Sequence, residues 1–320
     1  MDRYRALGAR PTYTCAPYQL ESSRPQRGDQ VAWGESNAIA FCNSVLGART
    51  NRYGDFIDVA AAITGRVPHA GLHRAEARRA TLVLRLAQDV PVALRDADQL
   101  FPLLGLVLGR RAGSAVAVID GLAAGQSEDR LKALGAAAAS SGSVAMFHVT
   151  GSTPEASTLD AALQRQAPDA VELVTLADLR GARDELTTEA GEQLAAVSLG
   201  TPHASLAELE RYAAMLGERR VHDGVQLLIS TGRETLAEAA RNGISERLRD
   251  AGAELLVDTC SYIAPILRSG DGATMTDSAK WAYYAPGNVG ARVVFGSTAE
   301  CIRSAVAGRV TRDDALWNIT

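Results

Sequence analysis

From about residue 80 onward, strand-length apolar runs alternate with helical patterns, and this alternation restricts the fold more than any other feature. The runs are Thr81–Leu86, Ala115–Ile119, Val144–Val149, Val171–Val174, Leu194–Leu199, Val225–Ile229 and Glu254–Val257. Helical patterns fill most of the gaps, at Asp129–Ala139, Glu155–Gln164, Leu206–Leu216, Glu234–Arg241 and Glu246–Asp250. Ser205 and Glu208 form the capping-box pattern that opens one of them. Strand–helix alternation of this kind predicts βαβ units and a largely parallel sheet. Continuous rather than alternating apolar strands predict burial on both faces, so helices must flank the sheet.

Residues 1–80 read differently. They are dense in Asn, Arg, Thr and Gly in compact runs, the composition of binding loops rather than of a plain scaffold. Two helices are expected there: Glu35–Cys42, with Ser36 or Asn37 near its start, and Asp55–Thr64, closed by Gly65. The chain is therefore divided into a polar segment, 1–80, and an α/β domain, 81–320.

The composition narrows the function. Apolar residues make up 47% of the 320 positions, enough for a sizeable core and too many for disorder. The net charge of −4 comes without a basic face, which argues against nucleic-acid binding. The Arg-rich stretch Arg74–Arg85 is interrupted by Glu76 and alanines and reads as a solvated helix or strand edge. No apolar stretch reaches 18 residues and no apolar leader follows Met1, so we expect no membrane contact and a cytoplasmic protein. The four cysteines, Cys15, Cys42, Cys260 and Cys301, are too widely spaced for a disulfide framework.

In a parallel sheet, ligands bind at the carboxyl ends of the strands. Several runs end in polar turns: Thr150–Glu155, Gly200–His203, Ser230–Arg233 and Asp258–Ser261. On one rim, these turns give His203, Ser230, Thr231, Arg233, Asp258 and Cys260 a common address. Plainer roles compete. Ser152, Thr153 and Ser205 suit helix caps, and Ser230 and Thr231 fit a cap as well as a site. A histidine after proline is more often a loop residue than a catalyst. Cys42 and Cys301 sit among apolar neighbours and read as buried thiols. Cys15 and Cys260 lie in polar loops and suit a thiolate metal site.

Several strings resemble the aconitase X family. They are Gly8–Tyr18 (GARPTYTCAPY), Ala32–Ala38 (AWGESNA), Asn43–Asp55 (NSVLGARTNRYGD), Ala62–Arg66 with Gly71–His73, Thr153–Ala156, Gly200–His203, Asp258–Cys260 and Thr276–Gly287 (TDSAKWAYYAPG). They cover almost the whole chain in order. The resemblance implies an aconitase-like α/β fold and a hydro-lyase acting on a small hydroxy acid, cis-3-hydroxy-L-proline or mevalonate 5-phosphate. It implies an iron–sulfur cluster or mononuclear iron, with Cys15 and Cys260 as ligands. Thr201 stands where many relatives carry a cysteine, and a hydroxyl is a poor ligand for a soft metal. The family also carries a segment ahead of the first motif and a small swivelling domain, fused or as a separate subunit. This sequence starts almost on the first motif, as a fragment, a mis-started frame or a divergent member would, and it shows no such domain.

On this reading Arg49 grips the substrate carboxylate, and Asn43, Thr50, Asn51 and His203 orient the substrate. Ser44 or Ser278 accepts the proton, with Lys280 nearby to lower the serine pKa. The plain alternative makes Ser44 and Thr50 caps, Arg49 a structural ion pair and Lys280 a solvated cation. We prefer hydroxyproline because a phosphate would want more cations or a glycine-rich helix start. An inactive relative acting as a binding partner is the reading from another class. A nicotinamide oxidoreductase is disfavoured, since no G-x-G-x-x-G follows a strand.

Overall fold

The apolar runs pair into two all-parallel sheets. The structure is a computed structural model and describes residues 2–54, 56–268 and 272–318. In the first sheet, β1 (Leu82–Leu86), β2 (Ala117–Asp120), β3 (Phe147–Val149) and β4 (Ala170–Val174) lie in the order β3-β2-β1-β4. In the second, β5 (Leu194–Ala204), β6 (Gln226–Thr231), β7 (Ala253–Leu256), β8 (Ala273–Thr276) and β9 (Val293–Phe295) lie in the order β7-β6-β5-β8-β9. Both sheets reverse their winding once, between β1 and β4 and between β5 and β8. Such switch points open a crevice at the carboxyl edge.

Helices flank the sheets as expected for an α/β chain, and every predicted strand is present. β8 and β9 escape the sequence reading because three or four residues carry little periodic signal. The helix Leu100–Ala112 escapes it for the opposite reason. It is apolar all round and interrupted by Pro102, Gly105 and Gly109. Those glycines are packing devices. A Cβ on Gly105 would lie 2.3 Å from the carbonyl oxygen of Leu134, on the neighbouring helix Glu128–Ser141. Helix Glu128–Ser141 also packs on Ser36–Phe41 and Ala279–Val289, so it sits where the two sheet units and the N-terminal segment meet. The expected helix over 155–164 shrinks to one turn, Leu159–Ala162, capped by Thr158.

In the N-terminal segment the first expected helix is Ser36–Phe41, with Glu35 as its cap, and it continues as a π-turn over Cys42–Leu46. The second is Ile57–Thr64, closed by Gly65 in the left-handed conformation; Asp55 lies outside the described residues. The reading of Arg74–Arg85 as solvated is corrected at Arg78, which is 1% exposed. Its guanidinium donates to both oxygens of Glu155, to the side chain and carbonyl of Asn43, and to the carbonyls of Leu72 and Ala48. A buried cation is tolerable only when paired and fully bonded, and Arg78 is both.

Candidate metal centre

Three side chains from distant parts of the chain converge at the carboxyl edge of the second sheet. Cys15 comes from the N-terminal segment, His203 from the end of β5, and Cys260 from the turn after β7. Their donor atoms all lie within 4.8 Å of one another. The backbone of β5 makes this possible at Gly200, which has φ +78°; a Cβ there would lie 2.2 Å from the carbonyl oxygen of Ser230. Only glycine lets β5 pass β6 this closely and shift register before His203.

Every polar atom of His203 but one is engaged. Its Nδ1 bonds the Thr14 hydroxyl at 3.0 Å, and its backbone N–H points at the Cys15 sulfur at 3.4 Å. Its carbonyl accepts from Gln19 Nε2 at 3.0 Å and from Lys132 Nζ at 3.3 Å. The remaining atom, Nε2, is buried with no partner. An orphaned imidazole nitrogen beside two sulfurs is a costly arrangement unless a metal takes the lone pair. Two thiolates and one imidazole suit iron, zinc and other borderline or soft metals.

The electrostatics favour the thiolate form. The bond from Cys260, the charges of His203 and Lys280 and the N–H of His203 lower the Cys15 pKa to about 6, against the opposing effect of burial. That same bond and burial raise Cys260, so the pair holds one proton between two sulfurs. Lys280, 4% exposed, follows β8 and donates to Glu35 Oε1 at 2.6 Å. Burial disfavours its ammonium, but the Glu35 carboxylate outweighs burial and holds the lysine above its usual range. The expectation of a solvated Lys280 is thus corrected. Glu35 also accepts from Asn37, whose Nδ2 bonds the Cys15 carbonyl at 2.9 Å. Asn37 in turn accepts from the buried Tyr18 hydroxyl.

The rim expected from the strand ends is partly assembled. Arg233 forms two 2.6 Å bonds to Asp258 and lies over the Tyr13 ring. Thr231 donates to the Ala204 carbonyl, and the Ser230 hydroxyl is buried without a partner. Thr201 is buried with its hydroxyl unpaired.

Other expected residues sit elsewhere. Asn43 bonds the Thr50 backbone on both sides and the Ala145 carbonyl, and Ser44 accepts from Phe147 N. Arg49 donates to the His73 carbonyl, and Asn51 bonds Ala70 and Leu72. None of these bonds reaches Cys15, His203 or Cys260. The cation whose charge acts on Cys15 is the ammonium of Lys280. Ser278 is a helix cap: its hydroxyl accepts from Trp281 N and donates to the Thr201 carbonyl, so its proton is already committed. In this structure, then, Ser44 is bonded to the Phe147 N–H and Ser278 caps a helix. Glu35 and Lys132 received no role in the sequence reading, because ion pairs spanning 245 and 76 residues leave no trace in spacing.

Among the described residues no helix is long and apolar enough to cross a membrane. Three family models match in order: aconitase X first domain over residues 1–76, second domain over 80–184 and third domain over 194–307. The chain is 43% identical to a cis-3-hydroxy-L-proline dehydratase of Hypocrea jecorina, over 95% of this chain and 51% of that protein. It is 40% identical to a phosphomevalonate dehydratase large subunit of Methanothermobacter thermautotrophicus, over 95% of this chain and 72% of that one. The crystal structure of Thermococcus kodakaraensis aconitase X in its holo-form superposes with a TM-score of 0.84 at 32% identity, covering 95% of this chain and 75% of that one. The chain thus spans about half the length of the hydroxyproline dehydratase it matches. Matched over nearly its whole length by these domains in their order, the chain belongs to the aconitase X family.

Proposed function

We propose that the chain is the metal-binding, catalytic part of a hydro-lyase that removes water from a small hydroxy acid, cis-3-hydroxy-L-proline. The observation that carries this reading is the convergence of Cys15, His203 and Cys260 around an orphaned imidazole nitrogen. These three residues would hold mononuclear iron or one corner of an iron–sulfur cluster. The bound group would supply Lewis acidity to the leaving hydroxyl. His203, first read as a substrate contact, is assigned here as the third ligand.

The chain's own residues do the rest. Cys15 and Cys260 are half-buried, with Cys260 packed against the main apolar core. The buried ammonium of Lys280 lies beside them and, with little water to screen it, stabilises negative charge developing on the substrate carboxylate side. Glu35 holds that ammonium in place and stays ionised under its influence, against the opposing effect of burial.

Hydroxyproline is favoured over a phosphorylated substrate because the cations at this rim are already partly neutralised, which suits a single carboxylate better than an added phosphate. Lys280 is paired with Glu35, and Arg233 with Asp258. A phosphate, with its larger negative charge, would call for further cations. A small swivelling-domain subunit is the partner we infer, in keeping with the large-subunit name of the methanogen relative.

The test is purification without oxygen, iron analysis, and a dehydration assay on cis-3-hydroxy-L-proline with the small-domain polypeptide added. We expect iron and turnover, both lost in Cys260→Ser. Iron-free protein that turns nothing over would sink the reading.

A further inference from the structure

We propose that Lys132 is a positioning residue for the metal centre, acting through the carbonyl of His203. The inference rests on reading Cys15, His203 and Cys260 as metal ligands. Lys132 belongs to the unit of the first sheet, on helix Glu128–Ser141, whereas the ligands lie in the N-terminal segment and the second sheet. It is 5% exposed. Its ammonium donates to Glu208, lies 3.2 Å from Asp129 Oδ1 and reaches the His203 carbonyl at 3.3 Å.

The arrangement is specific in what it holds. Glu208 caps helix Leu206–Leu216 by accepting from Ser205 N, and Asp129 accepts from the Ser205 hydroxyl. The lysine is therefore tied to the segment that immediately follows His203 as well as to His203 itself. The Gln19 amide clamps the same carbonyl from the N-terminal segment. The His203 peptide is thus fixed by one donor from each neighbouring unit. With Nδ1 held by Thr14, these contacts leave Nε2 unpartnered among the sulfurs. A buried ammonium kept merely to join two units would need only its carboxylates. The third bond, to a ligand's own backbone, is what points to positioning.

The test is anaerobic titration of the metal-free protein with cobalt(II), reading the thiolate-to-cobalt absorption, together with thermal unfolding. Lys132→Met should weaken cobalt affinity about 10- to 100-fold, the usual cost of losing an outer-shell support. Lys132→Arg, which keeps the positive charge and the N–H donors, should recover part of that loss. Arg211→Met is the control: it breaks the Arg211–Asp98 ion pair between the same two units without touching His203. It should lower the unfolding temperature and leave cobalt affinity unchanged. If Lys132→Met fails to fold, Glu208→Gln decides instead, because it loosens the tether of the ammonium and should weaken cobalt binding several-fold. Wild-type affinity in a folded Lys132→Met or Glu208→Gln protein, or equal loss in Arg211→Met, would overturn the proposal. Absence of Cys15-dependent cobalt absorption in the wild-type chain would instead end the metal reading, and this inference with it.

Discussion

The two sheets are wound alike, yet among the described residues the converging thiols and imidazole lie at the edge of only the second. Each reverses direction once, and each places its turns on a carboxyl edge. At the first edge the polar groups do routine work: Asp89 accepts from the N–H of Leu176, and Arg85 pairs with Asp120 at partial exposure. At the second edge β5 breaks register with β6 after Leu199 and continues through His203 to Ala204, which pairs with Thr231, and there it meets Cys15 from 188 residues away. The shared winding gives both sheets a place for a ligand. What separates them is the long strand β5 and what the N-terminal segment brings to each edge: the Cys15 sulfur to the second, and the Arg78 guanidinium, paired with Glu155, to the first.

The sharpest way to break this comparison is to remove a sulfur. Cys15→Ser or Cys260→Ser should abolish cobalt absorption and cut dehydration to below about a thousandth of wild type, because a hydroxyl cannot replace a thiolate. Retained metal in both variants would mean that the second edge is no more special than the first.

A glycine pair tests the backbone difference. Gly200→Ala forces a Cβ to within 2.2 Å of the Ser230 carbonyl at φ +78°, and should cost about 3 kcal/mol in urea unfolding. Gly121 follows β2 on the first edge and has φ +96°, but nothing lies within 4 Å of a Cβ there. Gly121→Ala should cost only about 1 kcal/mol. Equal costs would show that β5 is not held against β6 as described.

An ion-pair comparison carries the smallest effect. Lys280→Met removes an ammonium with 4% side-chain exposure and leaves Glu35 short of a partner, at about 2 kcal/mol; Glu35 is partly wet, which trims the usual penalty. Arg85→Met at the first edge should change stability by less than about 0.5 kcal/mol. Urea midpoints for the two variants check the ranking.

The sheets were legible because buried parallel strands are written as uninterrupted apolar runs. The turns after them named His203 and Cys260, and the thiol in a polar loop named Cys15. What stayed hidden was pairing at long range. Arg78 and Lys132 look like ordinary surface cations in their own neighbourhoods, and only the folded chain supplies Glu155 and Glu208 as partners. Asn43, Ser44 and Arg49 are engaged within the fold instead. A dense polar string reads as a binding loop, but here much of its polarity closes the loop on itself and on the strand beginning at Phe147.

The wide separation of the three donors along the chain carries a thermodynamic consequence. An unfolded chain offers a metal no two of them nearby, so its affinity in that state is negligible. The full binding free energy then appears as added resistance to unfolding and grows with the logarithm of free metal. Chelation should shift the melting curve by that whole amount, which makes a calorimeter as informative about this centre as an assay of turnover.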